Sequence, residues 1–312
     1  MQGGNPLQGQ SKSLLTPRGG GSICHSMPSS RPASLDAMNP FVPSLVLVLG
    51  AGWVLGASAA TARAAEPAVG SKVVQFDAAS PYSDALEVKL RFSAKEDPGA
   101  FDIRREKFTV RSPADINASW GLFIWIDAGN TPNLPESWRP VLERQRLVFI
   151  GAHQSGNPRP IFDRFRMAIE ANQQMRRRHA IDPARVYVSG FSGGGRVASM
   201  LGVAYPDIFS GALPFMGVNF YKDLPTPDGK TFGLSYRPDD ELLDVARKDT
   251  RHVLVTGEKD FNRANTRAAF DVGYRKEGFA HVHYLEVPGH AHSLPDAAWF
   301  EKALKLLDPP RR

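Results

Sequence analysis

The sequence predicts an α/β fold, because strand-like and helix-like segments alternate without a break after residue 65. Six strand-like runs are apolar almost throughout, which is typical of strands buried on both faces of a parallel sheet. They lie at 121–126, 146–151, 185–190, 212–217, 252–257 and 282–287. Candidate helices fall between or after these runs, at 161–179, 194–204, 263–277 and 295–307. We therefore expect a mostly parallel central sheet with helices on both faces.

Three shorter segments precede these runs and alternate between apolar and polar residues. They are residues 71–76, 86–93 and 107–111. Such alternation is typical of strands that have one solvated face, as in an antiparallel sheet. The sequence therefore predicts an antiparallel N-terminal edge on the central sheet.

Residues 1–64 have no pattern of strands or helices that could join a core. Their first part is rich in Gly, Ser, Pro and Gln, and it is expected to be disordered. An apolar run at 41–60, followed by small residues, fits a signal peptide that is cleaved after Ala64. The same run is also long enough for an uncleaved membrane anchor. Either interpretation gives one folded domain at 65–312, in a secreted or periplasmic location.

Composition narrows the classes of function that this domain can have. Cys24 is the only cysteine and lies in the leader, so residues 65–312 contain no disulfide and no thiolate. The same residues hold 34 basic and 31 acidic side chains. This balance argues against a nucleic-acid partner, and beyond export or anchoring we expect no membrane partner.

A glycine-flanked serine follows the buried run at 185–190. Residues Gly190 to Gly194 read G-F-S-G-G, which fits the G-x-S-x-G pattern between a strand and a helix. In such a turn the serine occupies a strained backbone conformation, with its hydroxyl exposed at the helix N-terminus. The pattern predicts that Ser192 is a nucleophile, and that the Gly193 N–H stabilises the negative charge that develops beside it.

A serine nucleophile needs a base within hydrogen-bonding distance and an acid that orients the base. Asp260 follows the run at 252–257, with Glu258 as the alternative acid. His292 follows the run at 282–287, with His290 as the alternative base. A zinc site would need both late H-x-H pairs, at 281–283 and 290–292, but the serine pattern already accounts for the second pair. We expect no metal and no organic cofactor.

With these residues, the chain resembles secreted α/β-hydrolases of the polyhydroxybutyrate-depolymerase-like and feruloyl-esterase-like group. The resemblance covers about residues 100 to 307, and its motifs are the serine turn, G-E-K-D at 257–260 and P-G-x-x-H at 288–292. It implies the α/β-hydrolase fold and a triad of Ser192, Asp260 and His292. An ester substrate is the implied partner, and it could be a small acyl or aryl ester or a polyester.

The sequence departs from this group at the second donor of the oxyanion hole. Relatives commonly carry His-Gly after the strand that donates it, whereas residues 127–130 read D-A-G-N. We assign the second donor to Ala128, and Gly129 is the alternative.

Four further residues are candidates for substrate binding. Phe191 precedes the serine, and His153, Gln154 and Asn157 follow the run at 146–151. Loops at the carboxyl ends of parallel strands commonly form ligand sites, although a plain polar turn would have the same composition. The Pro- and aromatic-rich segment at 218–241 is a candidate lid or a surface excursion.

These features predict a serine esterase that forms an acyl-enzyme. A serine peptidase on the same fold remains an alternative, because a triad alone does not distinguish esters from amides. A binding module that retains the scaffold without catalysis is a further alternative, because a fold does not determine function.

Overall fold

One sheet of eight strands runs through the residues that the computed structural model describes, which are 69–225 and 236–308. In chain order the strands are β1 (Val69–Val74), β2 (Phe108–Pro113), β3 (Gly121–Ile126), β4 (Leu147–Ala152), β5 (Val186–Phe191), β6 (Gly211–Phe215), β7 (Arg251–Gly257) and β8 (Val282–Val287). In space their order is β1-β2-β4-β3-β5-β6-β7-β8. The six apolar runs are β3 to β8, as predicted.

Strand β2 is the one strand of this sheet that runs in the opposite direction. It is antiparallel to both of its neighbours, β1 and β4, whereas β3 to β8 are parallel to one another. All residues of β3 and β4 are buried, while most of β1 is exposed. The predicted antiparallel N-terminal edge is therefore confirmed.

Seven α-helices accompany the sheet in the part of the chain that the structure describes. They are α1 (Ala85–Arg91), α2 (Arg139–Arg144), α3 (Ile161–Arg178), α4 (Gly193–Ala204), α5 (Asp240–Asp249), α6 (Arg263–Ala268) and α7 (Ala297–Leu307). Helix α6 continues as a π-helix, Ala269–Tyr274. The predicted helices are thus α3, α4, α6 with its extension, and α7. The sequence did not predict α2 and α5.

Two apolar cores lie on the two faces of the sheet, because successive strand residues point to opposite sides. On one face, side chains of α3 and α4 pack with alternate residues of β3 and β4, such as Ile124 and Ile150. On the other face, α2 and α7 pack with the intervening residues, such as Trp125 and Phe149. Helices therefore cover both faces, as the sequence predicted.

The strand predicted at 86–93 is wrong, because Ala85–Arg91 forms helix α1. The Asp84 side chain caps the helix by accepting a hydrogen bond from the Leu86 N–H (2.8 Å). Glu87 and Arg91, one helical turn apart, form an ion pair (2.6 Å). The alternation was misleading because a half-buried strand would bury all four apolar residues, whereas Val88 and Phe92 are buried and Leu86 and Leu90 face solvent.

Two sequence predictions lie outside the described residues. The leader and signal peptide at 1–64 are one, and the central part of the candidate lid, residues 226–235, is the other. Over the ranges 69–225 and 236–308, the helices are too short or too polar to cross a membrane.

His252 gives a testable pH dependence of stability. Burial, with a smaller effect from His281, lowers the pKa of this histidine from 6.5 to about 3. Its ring packs against Tyr274 and Phe279, and neither ring nitrogen has a hydrogen-bond partner among the described residues. The unfolded chain therefore binds a proton near pH 6.5 that the folded chain does not bind until about pH 3, so the folded state loses stability as the pH falls below 6.5.

Well below pH 6.5, this histidine lowers the free energy of unfolding by about 1.4 kcal/mol for each pH unit. Between pH 6.5 and 5.0, the free energy of unfolding in urea should therefore fall by up to about 2 kcal/mol more in the wild type than in His252→Phe. Equal pH slopes for the two proteins would show that His252 is not held neutral by burial.

Candidate active site

Three loops at the carboxyl ends of parallel strands bring Ser192, Asp260 and His292 together. They follow β5, β7 and β8 respectively. The Nε2 atom of His292 lies 3.0 Å from the Ser192 Oγ, and its Nδ1 atom lies 2.7 Å from the Asp260 Oδ1. Because a carboxylate only accepts hydrogen bonds, Nδ1 carries the proton, and Nε2 accepts from the serine hydroxyl.

Ser192 occupies the sharp turn between β5 and α4, in the left-handed half of backbone space (φ 55°, ψ −114°). Its N–H donates to the Phe215 carbonyl of the neighbouring strand (2.8 Å). A Cβ on Gly190 or Gly194 would overlap the Ile126 carbonyl oxygen at the end of β3. Glycine is therefore required at both positions, because the turn lies directly against the neighbouring strand end.

The carboxylate of Asp260 is fully buried and accepts hydrogen bonds from several donors. Besides His292, the Thr256 hydroxyl (2.8 Å) and the Asn262 N–H (3.0 Å) donate to Asp260. The Asn262 side chain in turn donates to the Met216 carbonyl (2.7 Å). These contacts fix the orientation of the carboxylate and satisfy it in a site without water access.

The two alternatives for the acid and the base have other contacts. The Glu258 carboxylate accepts a hydrogen bond from the Gly289 N–H (2.6 Å), which ties the acid loop to the histidine loop. The His290 Nε2 lies 2.9 Å from the Ser293 carbonyl oxygen. His292, in contrast, is within hydrogen-bonding distance of both Ser192 and Asp260.

Two phenylalanine rings contact the imidazole of His292. The Phe191 ring centroid lies 5.0 Å from that of His292, and the Phe261 centroid lies 4.1 Å from it. The side chain of His292 keeps 20% exposure between them, and Phe261 is itself 71% exposed. The imidazole is thus restrained by its two hydrogen bonds, and both rings contact it. The sequence indicated Phe191 but not Phe261.

The two candidate oxyanion donors lie on loops that contact each other. Gly193 is the first residue of α4, where N–H groups have no partner within the helix. The Ala128 carbonyl accepts from the Asn157 N–H (2.9 Å), and the Asn157 side chain lies against the Gly193 Cα. The N–H of Gly129, the alternative donor, is already bonded to the Asp127 carboxylate (2.8 Å).

Asp127 organises the loop after β3. Its carboxylate accepts hydrogen bonds from the Trp125 indole N–H (3.0 Å), the Gly129 N–H (2.8 Å) and the Asn133 N–H (3.2 Å). An aspartate followed closely by glycine is a turn signal in the sequence, and this signal could have indicated the role. The loop that carries Ala128 is therefore held by a side chain as well as by its backbone.

Arg164 of helix α3 contacts the loops after β3 and β4. The side chain is buried, and it donates to the carbonyl oxygens of Ser155 (2.7 Å) and Asp127 (3.0 Å). Burial lowers the pKa of its guanidinium to about 10, although the Asp127 charge opposes this effect. Arg164 therefore holds these two loops together, whereas Arg176 to Arg178 at the end of the helix are exposed.

His153 and Gln154, two of the candidate binding residues after β4, have contacts outside the serine turn. The His153 Nε2 lies 2.8 Å from the Thr109 hydroxyl of β2. Gln154 is exposed, and its N–H donates to the Asn130 carbonyl (2.7 Å). Of this loop, Asn157 is the residue that contacts the serine turn. Within the described ranges, no three His, Cys, Asp or Glu side chains form a group that could hold a metal ion.

The contacts of Asp127 allow a direct test of whether the loop after β3 supplies the second oxyanion donor. Asp127→Ala removes the acceptor for three donors, so the Ala128 N–H loses its fixed orientation. If that N–H is the second oxyanion donor, we expect kcat on an ester substrate to fall about 10- to 100-fold. The matched control is Asp182→Ala, since Asp182 caps a turn before β5 by accepting from the Ala184 N–H (2.9 Å). An equal loss in both variants would contradict this role.

Similarity to known proteins is local in sequence and extends further in structure. No protein-family model matches the chain. A stretch of 43 residues is 46% identical to poly(3-hydroxyalkanoate) depolymerase C of Paucimonas lemoignei, and this match covers 14% of this chain and 10% of that protein. The chain is similar to the structure of an S-formylglutathione hydrolase from Staphylococcus aureus (TM-score 0.49, 13% identity, 76% of this chain and 96% of that one). It is also similar to the structure of the feruloyl esterase module from Clostridium thermocellum (TM-score 0.46, 12% identity, 66% of this chain and 86% of that one).

The order of the strands decides the fold. An eight-stranded sheet with an antiparallel second strand carries a serine turn after β5, and an acid and a histidine follow later strands in the order Ser, Asp, His. The chain has the α/β-hydrolase fold. Within this α/β-hydrolase, the motifs resemble the depolymerase-like and feruloyl-esterase-like group, as the sequence indicated.

Proposed function

We propose that this α/β-hydrolase cleaves carboxylic esters through an acyl-enzyme on Ser192. One observation carries the proposal: the continuous hydrogen-bonded series from Ser192 through His292 to the buried Asp260. A serine hydroxyl is a weak nucleophile at neutral pH, and a neutral imidazole within hydrogen-bonding distance is the group that activates it.

In the first step, the Ser192 Oγ attacks the ester carbonyl carbon while the His292 Nε2 accepts the hydroxyl proton. Asp260, which accepts the Nδ1 hydrogen, stabilises the imidazolium that forms. The tetrahedral intermediate then collapses as His292 returns the proton to the departing alkoxide. The alcohol leaves, and the acyl group stays bound to Ser192.

In the second step, His292 removes a proton from a water molecule that attacks the acyl carbon. The carboxylic acid is released, and the proton returns to Ser192. In both steps the negative oxygen would be stabilised by the N–H groups of Gly193 and Ala128, each worth about 3 kcal/mol. The proposed chemistry uses neither a metal ion nor an organic cofactor.

We favour ester hydrolysis over peptide hydrolysis because of the local sequence match. The name of the Paucimonas lemoignei relative specifies a polyester, poly(3-hydroxyalkanoate). The matched segment is short, so the natural ester of this chain is part of the proposal. Export through the apolar run at 41–60 is part of it too, and would give the enzyme access to polymers outside the cytosol.

The test is a panel of p-nitrophenyl esters and p-nitroanilide peptides, assayed with the wild type and with Ser192→Ala. Ester turnover that disappears in Ser192→Ala supports the proposal. Turnover of anilides without preference for esters would favour the peptidase. No difference between wild type and Ser192→Ala on any ester would contradict enzymatic hydrolysis and favour the binding module.

A further inference from the structure

Phe261 combines high exposure with a direct contact to the proposed base. At 71% exposure it is the most exposed large apolar side chain in the part of the chain that the structure describes. One face of its ring packs on the His292 imidazole, with centroids 4.1 Å apart and planes 31° apart. A phenyl group in this position leaves most of its apolar surface in water, which is unfavourable in the absence of a ligand.

The exposed position of Phe261 is fixed by the backbone on both sides. The Asp260 N–H donates to the Gly257 carbonyl (3.1 Å), and the Asn262 N–H donates to the Asp260 carboxylate (3.0 Å). The Arg263 N–H closes the turn on the Asp260 carbonyl (3.0 Å). The ring is therefore presented on the same rigid turn that carries the acid.

The proposed reaction determines which part of an ester would meet this ring. His292 Nε2 must come within hydrogen-bonding distance of the departing alcohol oxygen in order to protonate it. The atoms beyond that oxygen must then pass close to the rings that flank the imidazole. Of the two flanking rings, Phe191 is half-buried and Phe261 is exposed, so Phe261 has the free surface for contact.

We propose that Phe261 is a substrate-contact residue that binds the apolar chain of the alcohol portion of the ester. This inference rests on the proposed function and adds a substrate class to it: esters whose alcohol portion is an alkyl, aryl or hydroxyacyl chain. This contact would discriminate between esters by their alcohol portion, and other residues would bind the acyl portion.

The experiment uses two series of soluble esters. In one, acetate is esterified to alcohols from methanol to hexanol; in the other, methanol is esterified to acids from acetic to hexanoic. The quantity measured is kcat/KM, which includes every step up to release of the alcohol. In the wild type we expect kcat/KM to rise along the alcohol series.

Phe261→Ala should remove this rise, with a loss of about tenfold for hexyl acetate, because roughly 50 Å² of apolar contact disappears. The loss on methyl acetate should be smaller, because this ester has no alkyl chain to contact the ring, whereas a loss that arises from the Phe261–His292 contact is common to the whole series. The slope of the acyl series should stay at its wild-type value. Phe261→Leu should retain part of the rise.

Leu90→Ala is the matched control, because Leu90 is a large apolar side chain of similar exposure (61%) on helix α1. It should leave both series unchanged. An equal loss on all esters in Phe261→Ala would overturn the inference, since the ring would then act only by restraining His292. A change confined to the acyl series, or no change, would overturn it as well. If the wild type hydrolyses no ester in a manner that depends on Ser192, the proposed function itself is wrong and the inference falls with it.

Discussion

Replacement of His292 by alanine is expected to lower kcat on an ester substrate by about 10⁵-fold or more. The reason is that no other base lies within hydrogen-bonding distance of Ser192 in the described residues, so the hydroxyl keeps its proton. Initial rates at saturating ester concentration measure this effect, with urea unfolding as the check that the fold is retained.

His290→Ala is the matched control for this variant. His290 lies on the same loop, but its ring contacts Ser293 and not the serine nucleophile. We expect less than about a tenfold change, from slight loosening of the loop. If His290→Ala were the inactive variant and His292→Ala retained activity, the assignment of the base would be reversed.

Asp260→Asn is expected to lower kcat by about 10⁴-fold. Asp260 accepts three hydrogen bonds, and an asparagine amide would place an NH₂ group opposite one of these donors. The imidazole would then be held in the wrong tautomer, with its proton directed toward Ser192, so it could not accept the hydroxyl proton. Steady-state kinetics at several pH values would show a lower plateau throughout.

Glu258→Gln tests the alternative acid in the same assay. Its carboxylate accepts from the Gly289 N–H, and the glutamine oxygen can accept the same hydrogen bond. We expect activity within about tenfold of the wild type. A loss in Glu258→Gln as large as that in Asp260→Asn would contradict the assignment of Asp260, rather than Glu258, as the acid.

The inner strands of the sheet could be predicted from the sequence because burial on both faces requires nearly continuous apolar runs, and β3 to β7 have them. Strand β8 lies at the edge of the sheet, and only its Leu285 and Val287 are buried. The segment at 86–93 was misread for a related physical reason. A seven-residue helix with exposed Leu86 and Leu90 produces the same alternation as a half-buried strand. The cap at Asp84 and the Glu87–Arg91 pair were the local signals for a helix.

The Ser192, Asp260 and His292 positions were accessible to sequence reasoning because each follows directly after a predicted strand, at the edge where strand ends meet. The surroundings of these residues were not accessible. Arg164 shows only helical spacing in the sequence, and its partners are carbonyl groups of two other loops. Phe261 stands next to the acid in the sequence, but its contact with His292 depends on how two loops fold together.

The most direct test of the account is covalent labelling by a fluorophosphonate, followed by peptide mass spectrometry. The reagent reacts with a serine only where a neighbouring base activates the hydroxyl, so it reports on the proposed nucleophile without any assumption about the natural ester. We predict one modified residue, Ser192, in the wild type and a rate of labelling that collapses in His292→Ala. Absence of the label from Ser192 in the folded wild-type protein, or unchanged labelling in His292→Ala, would contradict the account.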